Sequence, residues 1–183
     1  MADPKRVVTA VTRSATHTMT KATEKSIHLV AGIGVEGDAH QGSTVKHRSR
    51  AVRDPNLPNL RQVAASPRTG PQIDPLRCYV LAHRSRRQIE AAAATARRAA
   101  RYESGAHLGA DAVVELTGLR NPCAQLDGIA EGLMAAGRNR DAGGNLRRKA
   151  GVMAIVVTGD EVRPGDVIEV EMPGGAQRAL EPV

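Results

Sequence analysis

Val113-Val-Glu-Leu-Thr-Gly-Leu-Arg-Asn-Pro-Cys-Ala-Gln-Leu-Asp127 decides how the rest of this chain is read. Residues 113–116 have the β-branched character of a short strand, and Thr117-Gly118 signals a turn after it. Asn121-Pro122 keeps the backbone extended, because proline disfavours the α region in the residue before it. Cys123 is therefore expected on a non-helical lip just past a strand. A thiol beside Arg120 has its thiolate stabilised, which suits it to bind a soft metal or carry sulfur. The alternative is a buried free cysteine packing as a small apolar residue.

Outward from that stretch the pattern stays β-rich. Arg6-Val-Val-Thr-Ala-Val-Thr-Arg13 and Ser26-Ile-His-Leu-Val30 alternate or run β-branched, as strands do. Val152-Met-Ala-Ile-Val-Val-Thr158 and Asp166-Val-Ile-Glu-Val-Glu-Met172 read as a hairpin-like pair joined through Pro164-Gly165, a dipeptide suited to a type II turn. Residues 127–136 predict a short helix weakened by two glycines, and 141–145 a loop. Several short strands separated by turn signals predict a mainly β fold, a closed or partly open β-barrel with short peripheral helices. At 183 residues the chain is long enough for one domain, 1–183, with a core of its own.

Two distant cysteines make neither a disulfide framework nor a metal-finger spacing, so a reducing cytoplasm is the expected location. No apolar run has membrane-spanning length, and Met-Ala-Asp-Pro-Lys-Arg at the start lacks a secretory signal's hydrophobic stretch. No membrane partner is expected.

A net charge of +7 would ordinarily suggest a polyanionic partner, but its distribution argues otherwise. Residues 64–104 hold eight arginines against three acids, a net of +5, which leaves the remainder of the chain at +2. The same segment contains both tyrosines, Tyr79 and Tyr102, and no lysine, with neither alternation nor an amphipathic stripe. Residues 64–75 are turn-rich, and 88–101 have high helix propensity but almost nothing large and apolar to bury. A nucleic-acid-binding protein using these arginines is disfavoured, because stacking platforms are nearly absent and clustered arginine alone gives salt-sensitive, non-specific affinity.

A second chemical cluster is Gly34-Val-Glu-Gly-Asp-Ala-His-Gln-Gly42 followed by Lys46-His-Arg-Ser49. Its glycines let backbone approach a ligand, and Lys46, His47 and Arg48 can hold a phosphate or other anion. The alternative is a solvated polar loop. If 46–48 is extended, Lys46 and Arg48 share a face and His47 points the other way. A metal site at Asp38, His40 and His47 lacks regular ligand spacing. His17 and Lys21 either reach the mouth of the pocket or are exposed strand residues, and His28 is expected to face solvent. Cys78, His83 and His107 lie in or beside the odd segment and carry no assigned role.

Taken together these motifs resemble the MOSC family, named after the C-terminal domain of molybdenum cofactor sulfurase, in its small stand-alone bacterial form. The carriers are Thr117-Gly-Leu-Arg-Asn-Pro-Cys123 with Gln125, the Gly34–Gly42 element, Lys46-His-Arg-Ser49, Pro58-Asn-Leu-Arg-Gln-Val63, Arg148-Lys-Ala-Gly-Val-Met-Ala-Ile-Val156 and Arg163-Pro-Gly-Asp166. The resemblance covers about residues 7–63 and 106–173. It implies a β-barrel that binds molybdenum cofactor (molybdopterin), with Cys123 as catalytic residue and molybdenum ligand. Cofactor-binding residues implied with it are Asp38, His40, Lys46, His47, Arg48, Arg61, Gln62, Thr117, Arg120, Asn121 and Gln125; the family is also associated with pyridoxal phosphate binding. Two activities follow from the resemblance: sulfur transfer through a Cys123 persulfide, or molybdenum-dependent reduction of N-hydroxylated compounds. The implied partners are the small-molecule cofactor and a sulfur donor or redox protein.

Residues 64–104 depart from that pattern. The family's strand, short helix and Gly-x-x-Gly-Glu-Asn element are missing, and an abrupt switch to Arg, Ala, Ser and Pro is what a GC-rich gene read out of frame produces. The barrel is therefore expected to be disrupted or irregular there, and an inactive frameshifted remnant stands as the alternative function.

Overall fold

The computed structural model describes residues 6–18, 21–67, 80–82, 105–122, 124, 127, 131–140, 142–148, 150–172 and 180–183. Within them the strands are β1 (Arg6–Arg13), β2 (Ala22–Glu24), β3 (Ile27–Val30), β4 (Gly34–Val35), β5 (Val63–Pro67), β6 (Val80–Ala82) and β7 (Gly105–Leu108). They continue as β8 (Ala112–Leu119), β9 (Arg138–Arg140), β10 (Leu146–Arg148), β11 (Val152–Thr158), β12 (Glu161–Val162) and β13 (Val167–Glu171). Two single-turn helices, α1 (Arg48–Ala51) and α2 (Leu133–Ala136), accompany them.

The main sheet runs β13-β7-β8-β11-β5-β6-β1-β2, and β13 also pairs with β1. Pairing therefore passes round a ring of β1, β13, β7, β8, β11, β5 and β6, with β2 attached beyond it through Val11↔Glu24 and Arg13↔Ala22. A curled sheet leaves few open edges to template association. Neighbours are antiparallel except β5 and β6, which run parallel. β12-β3-β4 forms a small second sheet, and β9-β10 pairs only with itself.

Alternation places the core. Along β8 the residues Ala112, Val114, Leu116 and Gly118 are buried, while the residues between them are more accessible. With no Phe or Trp in the chain, the interior is made of Val8, Val11, Ile27, Leu29, Val35, Val63, Val114, Leu116, Val156 and Ile168. These side chains, mostly β-branched, pack well on a pleated surface.

The mainly β expectation holds, and strands form at 6–13 and 27–30 with His28 exposed. Several local readings are corrected. Thr117-Gly118 is not a turn but the end of β8; the glycine is needed because the C-terminal segment crosses there. A Cβ on Gly118 would lie 2.5 Å from the Glu181 carbonyl oxygen, and Leu119 N–H donates to that same oxygen.

Strands β11 and β13 are not a hairpin. β11 has both edges occupied, by β8 and β5, while β13 lies between β7 and β1. The chain between them detours through β12, which pairs with β3. The turn at Arg163-Pro-Gly-Asp166 does close, with Asp166 N–H donating to Arg163 O at 3.2 Å, but it links β12 to β13.

Of the helix expected over 127–136, the α-helical part among the described residues is the single turn α2, where Met134 N–H is held by Asp127 Oδ1 at 2.8 Å. In the odd segment, residues 64–67 belong to β5 rather than to a loop, and 80–82 form β6; the ring passes through both. The remaining readings for 64–104, including Cys78 and His83, lie outside the described residues.

Candidate anion-binding site

Asp38 organises the site. Its side chain is 3 % exposed and both carboxylate oxygens are occupied. Oδ1 accepts from His40 N–H at 2.9 Å and from His40 Nδ1 at 3.1 Å. Oδ2 accepts from Ser14 N–H at 3.1 Å and from the ammonium of Lys21, itself 6 % exposed. Burial by itself would raise the carboxyl pKa; hydrogen bonds from His40 and Lys21, with the lysine charge, outweigh it and hold the group well below the usual carboxylate range. Lys21 is therefore a buried structural cation, not an exposed strand residue.

The loop above this carboxylate is braced by Asn59, which is buried. Its Nδ2 donates to the carbonyls of His40 and Gly42, both at 2.8 Å, and its Oδ1 accepts from Arg61 N–H at 3.1 Å. The stem of Lys46 folds back across Gly42, into the space a Cβ there would fill. His17 Nε2 donates to Lys46 O at 3.2 Å, and the His17 and His40 rings meet edge to face with centroids 4.8 Å apart. The carbonyl can only accept, so His17 Nε2 carries the proton.

The 46–48 segment is turned, not extended. Arg50 and Ala51 N–H both donate to His47 O as α1 begins, and His47 Nδ1 pairs with Ser49 Oγ at 3.0 Å. A shared face for Lys46 and Arg48 requires the period-two geometry of an extended strand, which a helix start does not have. His47 instead joins the basic groups. Its pKa is lowered first by burial, then by the charges of Arg61 and Arg50, and then by His40 and His17. At neutral pH it is an uncharged imidazole among cations.

The result is one basic cluster, the basin, of His17, His40, Lys46, His47 and Arg61, with the Asp38 carboxylate beside it buried and saturated. The described residues hold no group of three His, Cys, Asp or Glu side chains able to bind a metal ion, so Asp38, His40 and His47 do not make one. Asn59 and Arg50 were not singled out from sequence; the one available signal was Pro58-Asn-Leu-Arg, whose asparagine follows a proline at the end of a loop.

Gln62 stands apart from the basin. Gly32 N–H donates to Val156 O at 2.8 Å. The Gln62 carboxamide bridges the same two residues: Nε2 donates to Gly32 O at 2.7 Å and Oε1 accepts from Val156 N–H at 3.0 Å. Gln62 is a brace between loop and barrel, with one amide N–H and the amide oxygen each holding a backbone group.

The lip at the end of β8 reaches the same region. Thr117 Oγ1 donates to Leu60 O, tying β8 to the 57–62 loop beside Arg61. Arg120 N–H donates to Gly151 O at 2.9 Å, and Pro122 is fully buried. Arg138 and Arg148, facing each other across β9-β10, hold the next two residues: Arg138 Nη2 donates to Pro122 O at 2.8 Å and Arg148 Nε to Asn121 Oδ1 at 3.2 Å. Asn121 is thus engaged with the hairpin. Cys123 and Gln125 lie outside the described residues, as does the side chain of Arg48.

No model of a protein family matches this chain, and no curated protein matches it. Solved structures do. The YUAD protein from Bacillus subtilis superposes with a TM-score of 0.67 at 17 % identity, over 92 % of this chain and 97 % of that one. YiiM from Geobacillus stearothermophilus gives 0.56 at 14 % identity, over 96 % and 80 %, and YiiM from Escherichia coli gives 0.54 at 12 %, over 95 % and 73 %. No helix among the described residues is long and apolar enough to cross a membrane. The chain thus has the mainly β fold of the YUAD and YiiM proteins.

Proposed function

We propose that the basin binds a phosphate-bearing small molecule of the molybdenum-cofactor type, and that the chain is a MOSC-like protein working through Cys123. The observation that carries this reading is the basin's charge: Lys46 and Arg61 with three imidazoles, over a carboxylate already saturated by four donors. Such a donor set fits a phosphate group and does not fit a cationic ligand. Lys46 and Arg61 would hold the phosphate, His17 and His40 would border it, and Thr117 would place the end of β8 alongside. The chemistry this cofactor supplies is sulfur or oxygen-atom transfer at a metal that takes a soft thiolate, which is the role read for Cys123. Arg138 and Arg148 fix the two residues before that thiol from the β9-β10 hairpin.

The test is to produce the full chain in bacteria with and without an intact cofactor pathway, and to measure molybdenum and pterin phosphate per chain by mass spectrometry. Cys123→Ala should lose molybdenum while retaining phosphate binding. Lys46→Ala and Arg61→Ala should each weaken binding by about 1.5–3 kcal/mol for a lost charge-assisted hydrogen bond. A wild-type chain that carries neither molybdenum nor pterin defeats the reading and leaves the inactive remnant in its place.

A further inference from the structure

His40 is built differently from the other basic groups of the basin. Asp38, as a carboxylate, has only acceptors, and its Oδ1 faces His40 Nδ1 at 3.1 Å, so the neutral ring carries its proton on Nδ1. The second bond from Asp38 Oδ1, to His40 N–H at 2.9 Å, fixes the backbone of the same residue. The His40 carbonyl is held by Asn59 at 2.8 Å. Backbone and ring are therefore locked together, and the bare nitrogen, Nε2, belongs to a side chain that remains 33 % exposed. A base oriented by a buried carboxylate, with its second nitrogen left open, is the arrangement used for proton transfer.

The neighbours agree with that role. Lys21 and Ser14 N–H occupy Asp38 Oδ2, which keeps the carboxylate charged and leaves Oδ1 for the imidazole. The His17 ring lies edge to face on His40 at 4.8 Å. His47, with Arg61 and Arg50 beside it, is held neutral and lies near enough for His40's charge to be felt. Lys46 folds across Gly42 in the same loop. No second carboxylate among the described residues faces the ring, so an oxyanion arriving in the basin is the group able to stabilise a proton on Nε2.

We propose that His40, positioned by Asp38, is the proton-exchanging residue of this basin: oxyanion binding draws a proton from solvent onto Nε2, while the Nδ1 proton stays with Asp38. The resulting imidazolium donates Nε2–H to an oxygen of the ligand and can pass that proton to it. The ligand class is an oxyanion, and the inference rests on the anion-binding reading above; Asp38 acts through His40 as a positioning residue and does not touch the ligand.

The experiment follows the histidine rings of the full chain by NMR between about pH 5 and 8, the range in which imidazoles titrate. It is run in chloride and in sulfate, a dianion that does not itself titrate there. Nitrogen shifts at high pH should show the Nδ1–H tautomer for His40. Sulfate should raise the His40 midpoint by about one pH unit, equivalent to about tenfold tighter binding to the protonated ring. His40→Asn keeps a donor for Asp38 where Nδ1 stood and removes Nε2; it should bind sulfate with that pH linkage lost. The opposite tautomer, sulfate binding with no shift at His40, or linkage persisting in His40→Asn would each overturn the inference alone. No sulfate binding at any pH would overturn the basin reading along with it.

Discussion

Replacing Gln62 by Met removes a brace while nearly preserving volume, and the two groups it leaves behind are unequal. Val156 is 2 % exposed, so its N–H, which now donates to Gln62 Oε1 at 3.0 Å, would be stranded without water. Gly32 is exposed, so its carbonyl can turn to solvent once Nε2 is gone. A buried unsatisfied donor costs about 1–3 kcal/mol, and the partly solvated carbonyl less. The direct bond from Gly32 N–H to Val156 O, now unsupported, weakens further. Gln62→Met is therefore expected to destabilise the fold by about 2–4 kcal/mol. With a urea m-value of about 2 kcal/mol/M, the midpoint falls by about 1–2 M while m is unchanged. The assay is equilibrium unfolding in urea, paired with sulfate binding to the folded variant. A loss under about 0.5 kcal/mol, the size of an ordinary surface substitution, would refute the brace. So would selective loss of anion affinity at full stability, which would return Gln62 to the pocket wall.

Gly118→Ala places a methyl 2.5 Å from Glu181 O and from a Val183 methyl; overpacking of this kind costs about 1–3 kcal/mol, and deleting residues 181–183 should remove most of the difference between variant and parent in thermal melts. Asp38 titrates lower folded than unfolded, so its contribution is complete above the ordinary carboxylate range and is lost as pH falls through the folded pKa. Acid unfolding of Asp38→Asn should accordingly show a shallower loss of stability with falling pH than the parent, and parallel acid limbs would contradict the assigned hydrogen bonds. Arg138→Met takes the donor from the Pro122 carbonyl and should lower stability by about 1.5–3 kcal/mol; an unmoved urea midpoint would mean the lip is held by packing alone.

Alternation and turn chemistry are local properties, and they were legible. The β-branched runs at 6–13 and 27–30 became β1 and β3, and Arg163-Pro-Gly-Asp166 closed as a tight turn. The basic character of the Lys46 loop also follows from composition, because clustered cations attract anions however the loop is bent. What alternation cannot carry is which strand lies beside which. Val152–Thr158 and Val167–Glu171 are near neighbours in sequence, yet a strand has only two edges, and β8 and β5 occupy both edges of β11. The same holds for side-chain duty. In sequence Asn59 carries no assigned role and Gln62 is implied as a cofactor-binding residue, yet both are buried braces because Gly32, Val156, His40 and Gly42, 17–94 positions away, arrive beside them. Residue type set the chemistry available to this chain; long-range pairing decided which groups face a ligand and which hold the barrel together, since a hydrogen bond is satisfied by proximity in space and not by position along the chain.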